Sequence, residues 1–126
     1  MQIHKILAGA MSCALSIAAI AQDFPSKPIR LIVPFATGGV TDTSARVIAD
    51  KLSRAIGQQV IVENRPGGSG NPGTQYVAQS VPDGYTLLLA FDGTMVINPF
   101  VFPKIPFDTV KDFQPVTKLG DRKSVV

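Results

Sequence analysis

Thiol and imidazole chemistry are almost missing from this sequence, whose 126 residues include one cysteine, Cys13, and one histidine, His4. Both fall in the first twenty positions, so the rest of the chain has neither a disulfide framework, nor a thiolate metal site, nor a Cys–His nucleophile pair. Glutamate is just as scarce, with Glu63 its only occurrence, and tryptophan does not occur. General acid–base catalysis therefore has few candidates. Asp42, Asp92 and backbone carbonyls are chemically able to hold a hard cation, but their spacing does not call for one. The expectation is a protein that is not an enzyme, with no cofactor and no metal. The net charge of +3 comes from cations scattered along the chain. Nucleic acid is not an expected partner, because phosphate-backbone binding needs several cations acting together.

A long hydrophobic span is also lacking. The apolar run at 6–20 is about 15 residues and is interrupted by Ser12 and Ser16, whereas a bilayer crossing needs roughly 20. His4 and Lys5 precede it and Ala19-Ile20-Ala21 closes it with a small-x-small pattern. Residues 1–21 are therefore expected to be a cleavable signal peptide, leaving an exported chain that does not span the membrane. Cys13 as a lipoprotein cysteine is the less fitting alternative, because Ala10-Met11-Ser12 is a poor lipobox.

What is present is a set of strand-to-helix junctions. Residues 29–35 are almost continuously apolar and branched, as in a strand covered on both faces. After Thr41, Val47, Ile48, Leu52 and Ile56 recur at near-helical spacing until Gly57 stops the helix. A second strand is expected at 60–62, a helix at 74–79, a turn at 82–84 and a third strand at 85–91. The fold class is α/β, with a three-stranded parallel core in β-α-β-α-β order. Right-handed crossovers would put the first strand between the other two and bring the loops after all three strands to one edge. Beyond Phe91, four prolines imply a connection with short turns, and 111–119 is expected to begin a further strand. No internal repeat or low-complexity tract is present.

Four blocks, FPSKPIRLIVPFATGGVTD, GQQVIVENRPGGSGNPGTQYVA, PDGYTLLLAFDGTMVINP and PFDTVKDFQPV, occur in this order between residues 24 and 116. They resemble the amino-terminal third of the Bug (Bordetella uptake gene) family, the periplasmic solute receptors of tripartite tricarboxylate transporters. The resemblance implies part of the first lobe of a type II periplasmic binding protein over 22–120, with 121–126, DRKSVV, as a divergent tail. Such receptors are usually close to three times as long, so it also implies a receptor cut short. The implied ligand is a small carboxylate or amino acid, and the implied partners are membrane transporter subunits.

The loops carry the chemistry. In Pro34-Phe35-Ala36-Thr37-Gly38-Gly39 the paired glycines bring N–H groups toward a ligand at the positive end of a helix, and Thr41 or Asp42 is expected to cap that helix. The resemblance places Phe35, Gly38, Gly39, Thr41 and Asp42 beside the ligand. Because like charges repel, Asp42 has three available roles: a cap, a holder of ordered water, or a partner for a ligand amine. The second loop reads Gly68-Ser69-Gly70-Asn71-Pro72-Gly73, a G-x-G-x-x-G pattern that by itself suggests a dinucleotide. Against that, Pro72 removes an amide donor and the motif sits in the second β-α unit. The resemblance instead assigns Ser69 and Asn71 to the same carboxylate site. In the third loop, Asp92 either caps the turn containing Gly93 and Thr94 or selects a ligand with a positive group. Phe107 and Phe113 are expected to pack beneath the connection.

Three functions follow: the receptor, a non-functional truncated gene product suggested by the abrupt end, and a small nucleotide-binding subunit suggested by the glycine pattern.

Overall fold

A computed structural model describes residues 23–120. The expected signal peptide at 1–21, with His4 and Cys13, and the tail at 121–126 lie outside the described residues. The chain runs β1 (Ile29–Val33), α1 (Val40–Ile56), β2 (Val60–Asn64), a short 3-10 turn (Gly68–Gly70), α2 (Asn71–Ala78), β3 (Thr86–Leu88), a wide helical turn (Gly93–Ile97) and α3 (Asn98–Val101). The three strands are parallel and β1 is central, in the spatial order β2-β1-β3.

The alternation of β1 explains why helices cover both sheet faces. Ile29, Leu31 and Val33 are buried in one cluster with Ala45 and Ala49 of α1, Val60 and Leu89. Arg30 points to the other face, where its guanidinium grips both oxygens of Glu63 and lies 5.3 Å from the Tyr76 ring of α2. The Arg65 guanidinium stacks on the same ring at 3.6 Å. A bidentate arginine–carboxylate pair is among the stronger polar contacts, so it ties the half-exposed rim of this face across β1 and β2. It also holds the Glu63 carboxyl below its ordinary pKa.

The inward stripe of α1 keeps Leu52 and Ile56 as expected but leaves Val47 outside it. Asp42, Ala45 and Ala49 are its buried residues, with Leu52 and Ile56 packed against the core, while Val47 is 53% exposed. Small alanines suit a close approach of the helix to β1, and Val47, two positions from both Ala45 and Ala49, falls on the outward side. The helix ends as expected: Gly57 is left-handed with φ 68°, and its N–H reaches the Ser53 carbonyl. Ser53 Oγ donates to the Ala49 carbonyl and accepts the Val60 N–H at 2.8 Å, joining the helix end to the start of β2.

Other boundaries move for identifiable reasons. β1 stops at Val33, before Pro34, which has no N–H to donate. β2 continues to Asn64 because Val33 still pairs with it. β3 is only Thr86–Leu88, paired with Arg30 to Ile32 of β1, and the Leu89 N–H still reaches the Ile32 carbonyl at 2.9 Å. α2 starts at Asn71, three residues earlier than expected, because Pro72 falls in the first turn, where a missing N–H costs nothing. Residues 111–119 form no strand. Phe107 and Phe113 do meet, edge to face at 6.0 Å.

Candidate functional site

The loops after β1, β2 and β3 meet at one edge of the sheet and are fastened together by polar side chains. The first is held by Asp42, which is 3% exposed. The N-cap of α1 is Gly39, without a side-chain cap, so neither Thr41 nor Asp42 fills that position. Asp42 instead reaches back one residue further and accepts the Gly38 N–H at 2.9 Å, with Gly38 at φ 85°. The same carboxylate binds Arg46 and the Asn64 amide, and Asn64 also donates to the Phe35 carbonyl. Two expectations change as a result. The Gly38 amide is occupied, and Asp42 works as a cap of modified geometry, with both oxygens engaged inside the protein.

Hydrogen bonds from Arg46, then Gly38, then Asn64 draw the Asp42 pKa down from 3.8 to about 2. A carboxyl more acidic folded than unfolded stabilises the fold above pH 4, and that contribution fades as pH falls from about 4 toward 2. The denaturation midpoint is therefore expected to drop more steeply between pH 4 and pH 2 in the native chain than in Asp42→Asn. Parallel curves for the two proteins over that interval would rule out this role.

The second and third loops are joined by a different clamp. Buried Thr94 donates its hydroxyl to the Ser69 carbonyl at 3.0 Å, and Asn98 donates to that carbonyl at 3.0 Å and to Asn71 Oδ1 at 2.8 Å. Gly70 lies in the middle of this contact. With φ 86°, it would place a Cβ 2.7 Å from Thr94 Oγ1 and 3.4 Å from Phe35 Cζ. Gly73 is equally confined, with a Cβ position 2.9 Å from Pro34 and the Arg65 carbonyl. Both glycines therefore serve close packing between loops. Ser69 is exposed on the rim at φ 55°. Asp92 accepts the Gly93 N–H at 2.8 Å, the capping role among its two expected options. Phe35 and Phe91 complete the rim edge to face, 5.6 Å apart.

Phe35, Ser69, Asn71 and Thr94 are thus brought together, while Gly38 and Asp42 brace the first loop. Sequence reasoning missed Asn64, Arg46 and Asn98. For Asn98 the available signal was its position one helical turn after Thr94. The loops form an open wall, and two grooves lie elsewhere among the described residues, one of about 610 Å³ at the amino ends of β1 and β3 beside Lys27 and Tyr85, the other of about 440 Å³ along β2. Among the described residues no helix is long and apolar enough to cross a membrane, and no group of three or more His, Cys, Asp or Glu is placed to hold a metal ion.

Residues 44–126 match the model of the tripartite tricarboxylate transporter family receptor. The chain is 44% identical over 114 residues to a UPF0065 protein of Bordetella bronchiseptica, covering 90% of this chain and 34% of that one. It therefore spans about a third of the length of such curated relatives. Among solved structures, the periplasmic binding protein BugD is similar with a TM-score of 0.70 and 37% identity, covering 73% of this chain and 30% of that one. MatC from Rhodopseudomonas palustris, solved with bound malate, is similar with a TM-score of 0.71 and 40% identity, covering 74% and 32% respectively.

Proposed function

Because the chain belongs to the tripartite tricarboxylate transporter receptor family, which includes the Bug proteins and consists of solute receptors rather than enzymes, we propose that its three loops form one wall of a periplasmic site for a small carboxylate. Residues 22–120 then correspond to part of the first lobe, and the partners are the membrane subunits of a tripartite transporter. The observation that carries this reading is the fastening of the three loops into one rim at the carboxyl ends of the parallel strands, where open α/β sheets bind ligands.

Within that wall the work is divided. The first turn of α1, with no side-chain cap on Gly39, turns its amides and positive end toward an anion. Gly39 and Thr41 face the solute there, joined by exposed Ser69 from the second loop and the Gly93 region from the third. Phe35 supplies the apolar floor. Gly38, Asp42, Asn71, Asp92 and Thr94 are braces that keep these groups in place. The Arg46 guanidinium offsets the Asp42 charge and the Asn64 amide bonds its other oxygen, which weakens the objection that this carboxylate would repel the ligand. A dicarboxylate such as malate fits this chemistry, since MatC holds malate on a similar fold.

An open wall leaves much of a ligand's charge hydrated, so the chain alone is expected to bind with a dissociation constant of roughly 1 mM or weaker. A two-dimensional amide NMR titration with malate checks the location. Shifts concentrated at Gly39–Thr41 and Ser69–Gly70 are expected. Shifts centred on the groove beside Lys27 and Tyr85, or binding of NAD at the glycine loop in place of malate, would sink the proposal.

A further inference from the structure

Four successive residues of the second loop have left-handed backbone: Gly67 at φ 122°, Gly68 at 47°, Ser69 at 55° and Gly70 at 86°. Ser69 alone among them carries a Cβ, and such a residue keeps that conformation only where its surroundings over-determine it. Part of the hold is the clamp of Thr94 and Asn98 on the Ser69 carbonyl. The rest lies at the base of the loop. Arg65 opens the loop, its N–H still tied to the Val33 carbonyl of β1 at 2.8 Å. Tyr76 stands in α2 one turn beyond Gly73, at the other end. The Arg65 guanidinium lies over the Tyr76 ring at 3.6 Å and so bridges the two ends of segment 65–76.

That stack is what orients Arg65. Its Nε is buried without a hydrogen-bond partner among the described residues, and its ionic contact with Glu63, at 3.8 Å, is too long for a hydrogen bond. Tyr76 is also approached from the sheet by Arg30, 5.3 Å from the ring and gripped by Glu63. A half-exposed cation–ring contact adds only modestly to overall stability, so the consequence of this one is local. We propose that Arg65 is a positioning residue of the solute site: stacked on Tyr76, it closes the second loop at its base and keeps Ser69 in the conformation it offers to the solute. This inference rests on the reading of the three loops as a carboxylate wall. Arg65 acts without touching the ligand, because a loop already in shape loses little freedom on binding.

Amide hydrogen exchange and a malate titration on the full chain separate this role from a merely structural one. Two hydrogen-bonded amides report the order of the loop, Gly70 on the Gly67 carbonyl at 2.8 Å and Asn71 on the Gly68 carbonyl. In Arg65→Ala both are expected to exchange about tenfold faster while the β1 amides change by less than about twofold, and malate is expected to bind about threefold more weakly. Arg65→Lys keeps the charge without the planar guanidinium and is expected to show the same pattern at smaller amplitude. Tyr76→Phe keeps the ring and should behave as the native chain. The control is Lys27→Ala, which removes the cation 4.3 Å over Tyr85 at the far end of the sheet and should move neither readout. Exchange that quickens evenly through β1 overturns the proposal, since Arg65 would then serve only the fold. So does faster loop exchange with unaltered malate affinity. If malate leaves the native loops unshifted while Gly70 and Asn71 respond as expected, the carboxylate reading fails and the clasp on the loop stands. If malate binds at Ser69 and Arg65→Ala changes nothing, the clasp fails and the carboxylate reading stands.

Discussion

Gly70→Ala is expected to destabilise the chain by roughly 2–5 kcal/mol. Left-handed backbone costs a residue with a Cβ roughly 1–2 kcal/mol, and forcing a methyl into packed space costs roughly 1–3 kcal/mol more. Both apply, since Gly70 has φ 86° and its Cβ position is 2.7 Å from Thr94 Oγ1. The loss should reach beyond one residue. To clear the methyl, Thr94 must leave the Ser69 carbonyl, which loosens the clamp between the second and third loops. Denaturant titration measures the loss, and a double-mutant cycle identifies its source. With Thr94→Ala the clashing hydroxyl is gone, so the double variant is expected to be less destabilised than the sum of the singles. Strict additivity would mean that only backbone strain is involved, and a single-variant loss below about 0.5 kcal/mol would contradict the packing.

Ile32→Ala should be of similar size, roughly 2–5 kcal/mol, for a different reason. Ile32 is 0% exposed on the central strand, so truncation leaves a cavity between two flanking strands and the layer above them. A domain of this size has roughly 5–15 kcal/mol in total, and so the variant approaches the edge of folding. The comparison that gives the measurement meaning is Val47→Ala. By helical periodicity Val47 belongs to the buried face, whereas in the fold it is 53% exposed, and its truncation should change stability by no more than about 0.5 kcal/mol. Equal losses at the two positions would show that the inward face of α1 is misplaced.

That comparison marks where local pattern stops being informative. The near-continuous branched apolar run of β1, the glycine stop at Gly57 and the Pro-Asp-Gly turn all encode backbone conformation residue by residue, so these strands and helices are legible. The face of α1 is legible only in part, through Leu52 and Ile56. Ala45 and Ala49 read as weakly apolar next to Val47, and only the closeness of β1 makes small side chains the right ones. Asp42 was recognised as a residue of consequence near a helix start. Its partners, however, stand 4 and 22 positions away, and the second of these distances has no periodicity to announce it.

The same division runs through the candidate site. G-x-G-x-x-G specifies tight backbone, and tight backbone is present, but whether it makes room for a phosphate or for a neighbouring loop depends on what lies opposite. Here Thr94 and Pro34 lie opposite, and the glycines are consumed in packing. Asn98 was passed over because a buried amide looks, in one dimension, like any surface asparagine.

By itself the sequence determined the α/β class, the β-α-β-α-β order, the family and the three loops that gather at one edge, because these depend on short-range periodicity, turn residues and local motifs. Only the tertiary structure decided that Ala45 and Ala49 rather than Val47 face the sheet, that Asp42 and Gly38 brace each other, and that the helical stretch after β3 turns its polar side inward. Those outcomes depend on contacts between residues far apart in the chain, and a side chain's role there is set by what the fold places across from it.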